Sequence, residues 1–172
     1  MELWSLDECH FQQHGTSCRM WVPPEDKDPL LLHAPTRRSV ACFGAVNLRT
    51  GQFVRHICSV FNAQTFRRFL KQLLRYRRGR RRMIVVLDNA RYHHAVLLMP
   101  FLRRHAKQLR QLFLPPYSPQ LASIERVWKL ARRLATHNRY FPTLEQVVNA
   151  VNACVDRWRR PNRVLRRLCC IT

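Results

Sequence analysis

Five consecutive apolar residues, Met83-Ile84-Val85-Val86-Leu87, run directly into an acid, Asp88. The run is too short for a helix and lacks the polar alternation of a half-exposed strand, so it predicts a strand buried on both faces. Such a strand needs neighbours on each side and helices above and below it. That requirement sorts the rest of the chain.

Leu3 to Phe11 reads as a first strand, stopped by His14-Gly15. Ser39 to Leu48 and Gln52 to Val60 flank Arg49-Thr50-Gly51, the pattern of an antiparallel hairpin. Ala63 to Tyr76 sets Phe66, Phe69, Leu70, Leu73 and Leu74 at helical spacing, with the arginines and Lys71 on the other side. Ala95 to Leu109 predicts a basic amphipathic helix kinked at Pro100. Gln111 to Leu114 predicts a short strand closed by Pro115-Pro116, and Ser123 to Thr136 and Thr143 to Trp158 predict two further helices. Trp128 and Trp158 fall among apolar neighbours and are assigned to the core. Strands first, then strands interleaved with helices, define a single α/β domain over residues 1–172, a mixed sheet flanked by helices.

Charge narrows the partners. Lys and Arg number 31 against 10 Asp and Glu, a net charge of +21, spread along the chain among apolar residues. A folded surface of that kind attracts polyanions, and nucleic acid is the expected partner. The run Arg75, Arg77, Arg78, Arg80, Arg81 and Arg82 is read as phosphate-contacting. No apolar run approaches the roughly 18 residues of a membrane span. Seven cysteines, an odd number with no signal peptide before them, are read as reduced thiols of a cytoplasmic protein.

Against that background the acids are scarce. Between Pro29 and Leu144 stand 23 Lys or Arg and only two acids, Asp88 and Glu125. Asp88 follows a buried strand, where open α/β sheets place their ligands; Glu125 sits in the first turn of a helix. Asp7 lies near the end of the first strand, and if that strand neighbours the one ending at Asp88, the two carboxylates meet. Alternation sends Asp7 and Glu8 to opposite faces of the strand, so only one of the two can face such a site. Clustered carboxylates repel one another unless hard cations sit between them, so two Mg²⁺ or Mn²⁺ ions are expected, the arrangement used for phosphodiester cleavage.

Three blocks carry a resemblance: Leu6-Asp7-Glu8; Val85-Val86-Leu87-Asp88-Asn89-Ala90-Arg91-Tyr92-His93; and Leu114-Pro115-Pro116-Tyr117-Ser118-Pro119-Gln120-Leu121-Ala122-Ser123-Ile124-Glu125-Arg126-Val127-Trp128. They resemble the mariner-type DDE transposases of bacterial insertion sequences. The resemblance implies an RNase H-like fold with first and fourth strands adjacent. It also implies double-stranded DNA as the partner, cleaved at transposon inverted repeats and joined to TA-type targets, a homodimer, and a place with the bacterial nucleoid. Asp7, Asp88 and Glu125 correspond to the metal ligands, and Asn89, His93 and Tyr117, with Arg77, Arg78, Arg80 and Arg81, are candidates for DNA contact. His93 is also a candidate for orienting the site.

Two features depart from the family. Ala122-Ser123 stands where the family has Asn-Pro, so Ser123 is expected to cap the helix one residue late. The resemblance would place a helix-turn-helix region upstream of these blocks, and with none read in the sequence the chain is expected to be the downstream product of a split gene or a decayed copy. These features keep two alternatives open, an RNase H-like nuclease without strand transfer and a non-enzymatic basic DNA binder. Cys9, His10, His14 and Cys18 match no common zinc spacing.

Overall fold

The computed structural model describes residues 1–19, 21–25, 30, 32, 34–116, 118 and 121–170. Five strands form one sheet: β1 (Glu2–Gln12), β2 (Ser39–Asn47), β3 (Phe53–Cys58), β4 (Met83–Leu87) and β5 (Leu109–Phe113), in the order β3-β2-β1-β4-β5. The first three form an antiparallel meander, and β4 and β5 add parallel to β1. The hairpin turns where expected. Asn47 accepts hydrogen bonds from the main chain of Arg49 and Thr50, and Gly51 takes the positive φ that closes the turn.

Alternation along β1 separates two cores. Trp4 and Leu6 face α1 (Ala63–Leu74), together with Phe43, Phe66, Phe69, Leu70, Val85 and Leu87. Cys9 and Phe11 face the other side, where α3 (Ile124–Ala135), α4 (Leu144–Asp156) and α5 (Arg163–Leu168) pack. Both tryptophans of the helical layer, Trp128 and Trp158, are buried as expected. A capping box at Asn62 and Thr65 starts α1.

Three expectations change. β4 is fully buried on its α1 face only, and Ile84 and Val86 are half-exposed because α3 lies against β1 and β2. The long helix from Ala95 to Leu109 shrinks to α2 (Met99–Arg104). Ala95 is extended, two 3-10 turns precede α2, and Pro100 sits in its first turn, so the proline starts the helix instead of kinking it. β5 accordingly begins at Leu109. The last helix, α5, was not expected from the sequence; the Asn162 side chain caps it by accepting from the Leu165 amide. Among the described residues no helix is long and apolar enough to cross a membrane.

Candidate carboxylate site at the open end of the strands

The β1–β4 ladder runs from Glu2↔Met83 to Ser5↔Val86 and stops. Asp7 lies two residues past the last pair on β1, and Asp88 directly follows β4. Glu125, the second residue of α3, comes over the same end of the sheet. The three carboxylates line one cavity of about 410 Å³, with Asn89, Ala90 and the Leu114-Pro115-Pro116 turn as its other walls.

The start of α3 sets where Glu125 stands. Ser123 is buried, has helical dihedrals and makes no capping hydrogen bond, so it does not cap the helix as expected. The Ile124 amide is directed instead at Ser5 Oγ on β1, 3.4 Å away. β1 thus supplies both Asp7 and the cap-like acceptor for the helix bearing Glu125. Arg126, the next residue, donates to the carbonyls of Leu168 and Cys170 and ties α5 to the same turn.

Burial pushes the Asp7 carboxyl up to about 7, and the charges of Glu8, Asp88 and Glu125 push the same way against one stabilising main-chain hydrogen bond at Glu8. A carboxylate set in that condition has an all-oxygen donor set and excess negative charge, the chemistry that suits a hard divalent cation. Asp7, Asp88 and Glu125 are the residues able to hold one.

Other candidates fall elsewhere. Glu8 faces α1, as alternation requires, and is hydrogen-bonded to His93, Oε1 to Nε2 2.9 Å. His93 is only 1% exposed and both its ring nitrogens are engaged, so it offers no surface to DNA in this structure. Asn89 stands exposed on the rim and donates to the Leu114 carbonyl at 2.7 Å, joining the ends of β4 and β5. Tyr117 lies outside the described residues. Arg77, Arg78, Arg80 and Arg81 do not reach the carboxylates. Glu2, at the start of β1, accepts from the Arg78 amide and donates its own to Arg82, placing the run at the opposite end of β4 from Asp88. At about 3.3 Å per strand residue the separation is roughly 20 Å.

A larger cavity of about 770 Å³ between α1 and α2 is lined by Arg67, Arg68, Lys71, Arg75, Arg104 and His105, with no acid in its walls. Sequence reasoning missed this groove because its two halves lie far apart along the chain. Cys9, His10, His14 and Cys18 do not converge. The Cys9 thiol, raised to about 11 by burial, takes a hydrogen bond from Arg132, while Cys18 contacts His137.

The sheet order, with carboxylates at the ends of the two adjacent parallel strands and on a crossing helix, is that of an RNase H-like fold. Solved structures share that fold. The catalytic domain of Mos1 mariner transposase aligns with TM-score 0.65 and 16% identity over 97% of this chain and 74% of that one. The Mos1 strand transfer complex gives TM-score 0.67 and 18% identity over 97% of this chain and 50% of that one, so the present chain spans about half the length of that relative. The catalytic core of BIV integrase aligns with TM-score 0.54 and 14% identity over 88% and 81% of the two chains. No curated protein matches the sequence. The family model described as DDE superfamily endonuclease matches residues 2–148, and the chain belongs to that family.

Proposed function

We propose that this chain is the catalytic domain of a mariner-like transposase that cuts DNA at transposon inverted repeats and joins the ends to a TA-type target. The observation that carries the reading is the convergence of Asp7, Asp88 and Glu125, from three separate elements, on one cavity in a chain of net charge +21. Two Mg²⁺ or Mn²⁺ ions held by these carboxylates would supply charge neutralisation and activation of the attacking water or 3′ hydroxyl. Among the relatives, Mos1 mariner paired-end complexes with Mn and with Mg support that choice of ions.

The protein's own residues do the remaining work. The carboxylates fix where a phosphodiester is cut. Asn89 holds the Leu114-Pro115 turn over the cavity rim, where a strand would enter. The groove of Arg67, Arg68, Lys71, Arg75 and Arg104 offers positive charge to a duplex backbone, and none of these residues has an ion-pair partner among the described residues. A homodimer holding two DNA ends belongs to the same reading.

The test is nicking of an inverted-repeat duplex with Mg²⁺ by the wild type and by Asp88→Ala. Loss of nicking in the variant, with joined products when a TA-containing target is added, is the expected result. Equal nicking by both proteins would overturn the carboxylate assignment. Nicking without joining would leave a nuclease, and salt-sensitive binding without cleavage would leave a DNA-binding protein.

A further inference from the structure

Main-chain pairing between β1 and β4 ends at Ser5↔Val86, yet Asp7 and Asp88 have to keep a fixed separation beyond that point. We propose that Glu8 and His93 form a side-chain strap that closes this gap, holding the Asp88 turn against β1, and that both are positioning residues of the metal site. The inference rests on Asp7, Asp88 and Glu125 being the metal ligands.

The strap is complete in its contacts. His93 Nε2 lies 2.9 Å from Glu8 Oε1, and its Nδ1 lies 3.1 Å from the Asp88 carbonyl oxygen and 3.2 Å from Asp88 Oδ1. The Asp88 carbonyl only accepts, which fixes a proton on Nδ1; the Glu8 contact holds a second proton, on the ring or on the carboxyl. The ring cannot drift, because Phe66 and Tyr92 pack on it at centroid distances of 4.3 and 4.5 Å. Burial first, and then the neighbouring Glu8 carboxylate, hold the Tyr92 phenol well above its usual range, so Tyr92 closes over the far end of the strap. The Asp88 carboxylate is held from its own side as well, accepting from the Ala90 amide at 3.2 Å.

Glu8, Asp88 and His93 bring ligand-type atoms within 4.8 Å of one another. A metal centre made of those three would need a free ring nitrogen, and His93 has none: each is committed to a hydrogen bond. Glu8 therefore acts on Asp88 through the imidazole. Side chains that orient metal ligands from behind typically govern affinity by 10- to 100-fold.

Two mild substitutions separate the contact from the charge. Glu8→Asp keeps the carboxylate but shortens the reach by one carbon–carbon bond, about 1.5 Å, which breaks the hydrogen bond. Glu8→Gln removes the charge but offers an amide N–H to Nε2, which preserves it. Binding of Mn²⁺ alone to the full chain, followed by electron paramagnetic resonance, is the readout. Glu8→Asp is expected to weaken Mn²⁺ binding roughly 10- to 100-fold while Glu8→Gln stays within about threefold of wild type. Equal affinities in the two variants, or a loss in Glu8→Gln alone, would overturn the strap; the latter would make Glu8 a ligand. Asp7→Ala is the control for the underlying assignment. If it binds Mn²⁺ as the wild type does, the metal-site reading fails, and the strap with it.

Discussion

Asp7 lies directly opposite Gly44 in the β1–β2 ladder, and because Gly44 has no side chain the indole of Trp128 rests on the strand at that point. A β-carbon at Gly44 would overlap both the Trp128 ring and Phe53. Trp128 is one helical turn after Glu125 on α3, so the packing that seats the tryptophan also sets the height of the third carboxylate above the first.

Gly44→Ala tests that coupling. The added methyl has to displace Trp128, an overpacking expected to cost about 1–3 kcal/mol. Nicking activity is expected to fall by more than the loss of folded protein explains, because α3 and Glu125 move together. Activity per folded molecule equal to wild type, with folded fraction measured by circular dichroism, would separate the helix position from the site.

Asp7 makes the metal-free protein sensitive to pH. Its carboxyl titrates near 7 when folded against 3.8 in the unfolded chain. Between those values the folded chain keeps a proton that the unfolded chain has released, so this group's contribution to stability declines as pH rises from about 4 to about 7, and is level above that. For a half-buried group the penalty at pH 8 is on the order of 2–4 kcal/mol. Asp7→Asn should therefore melt above the wild type at pH 8 and close to it at pH 4, in thermal scans with chelator present. Parallel melting curves at both pH values would remove Asp7 as the source.

The same proton competes with metal. Mn²⁺ affinity is expected to drop about tenfold per pH unit below 7 and to level off above it, as an ion displaces the proton from Asp7. Isothermal titration in two buffers of different ionisation enthalpy at pH 6 measures the released proton directly. Binding with no buffer dependence would place the ion away from Asp7.

Charge reversal in the α1–α2 groove addresses DNA binding apart from catalysis. Lys71→Glu combined with Arg104→Glu is expected to weaken binding to a long duplex. The salt dependence should flatten by about 0.9 in log–log slope for each phosphate the variant no longer neutralises. Fluorescence anisotropy across a salt series provides the measurement. An unchanged slope would leave the groove as a solvated face.

The main features were legible in the sequence for identifiable reasons. Met83–Leu87 was legible as a strand because its apolar run is strand-length, rich in β-branched residues and bounded by Arg82 and Asp88, and Asp88 stands out because acids are almost absent from the middle of the chain. Alternation along β1 correctly sent Asp7 and Glu8 to opposite faces. What alternation could not supply was a role for Glu8, since its partner His93 is 85 residues away and only the fold brings them together. The start of α3 was misread for a related reason. A local rule pointed to Ser123, whereas the acceptor nearest the helix amide is Ser5, 119 residues before Ile124. The basic groove was hidden because each half looks like an ordinary solvated helix face.

The first strand carries more than a single ligand. Ser5 reaches α3, Asp7 faces the cavity, and Glu8 reaches His93. A slip of β1 by one residue would exchange its two faces. The Asp-Glu pair would still present an acid on each face, but with the arms swapped: a longer one crowding the cavity and a shorter one falling short of the imidazole. Strand register here is thus a chemical variable as well as a folding one, and any change at the far end of β1 that favours a slipped pairing would act on the site without altering a single residue in it.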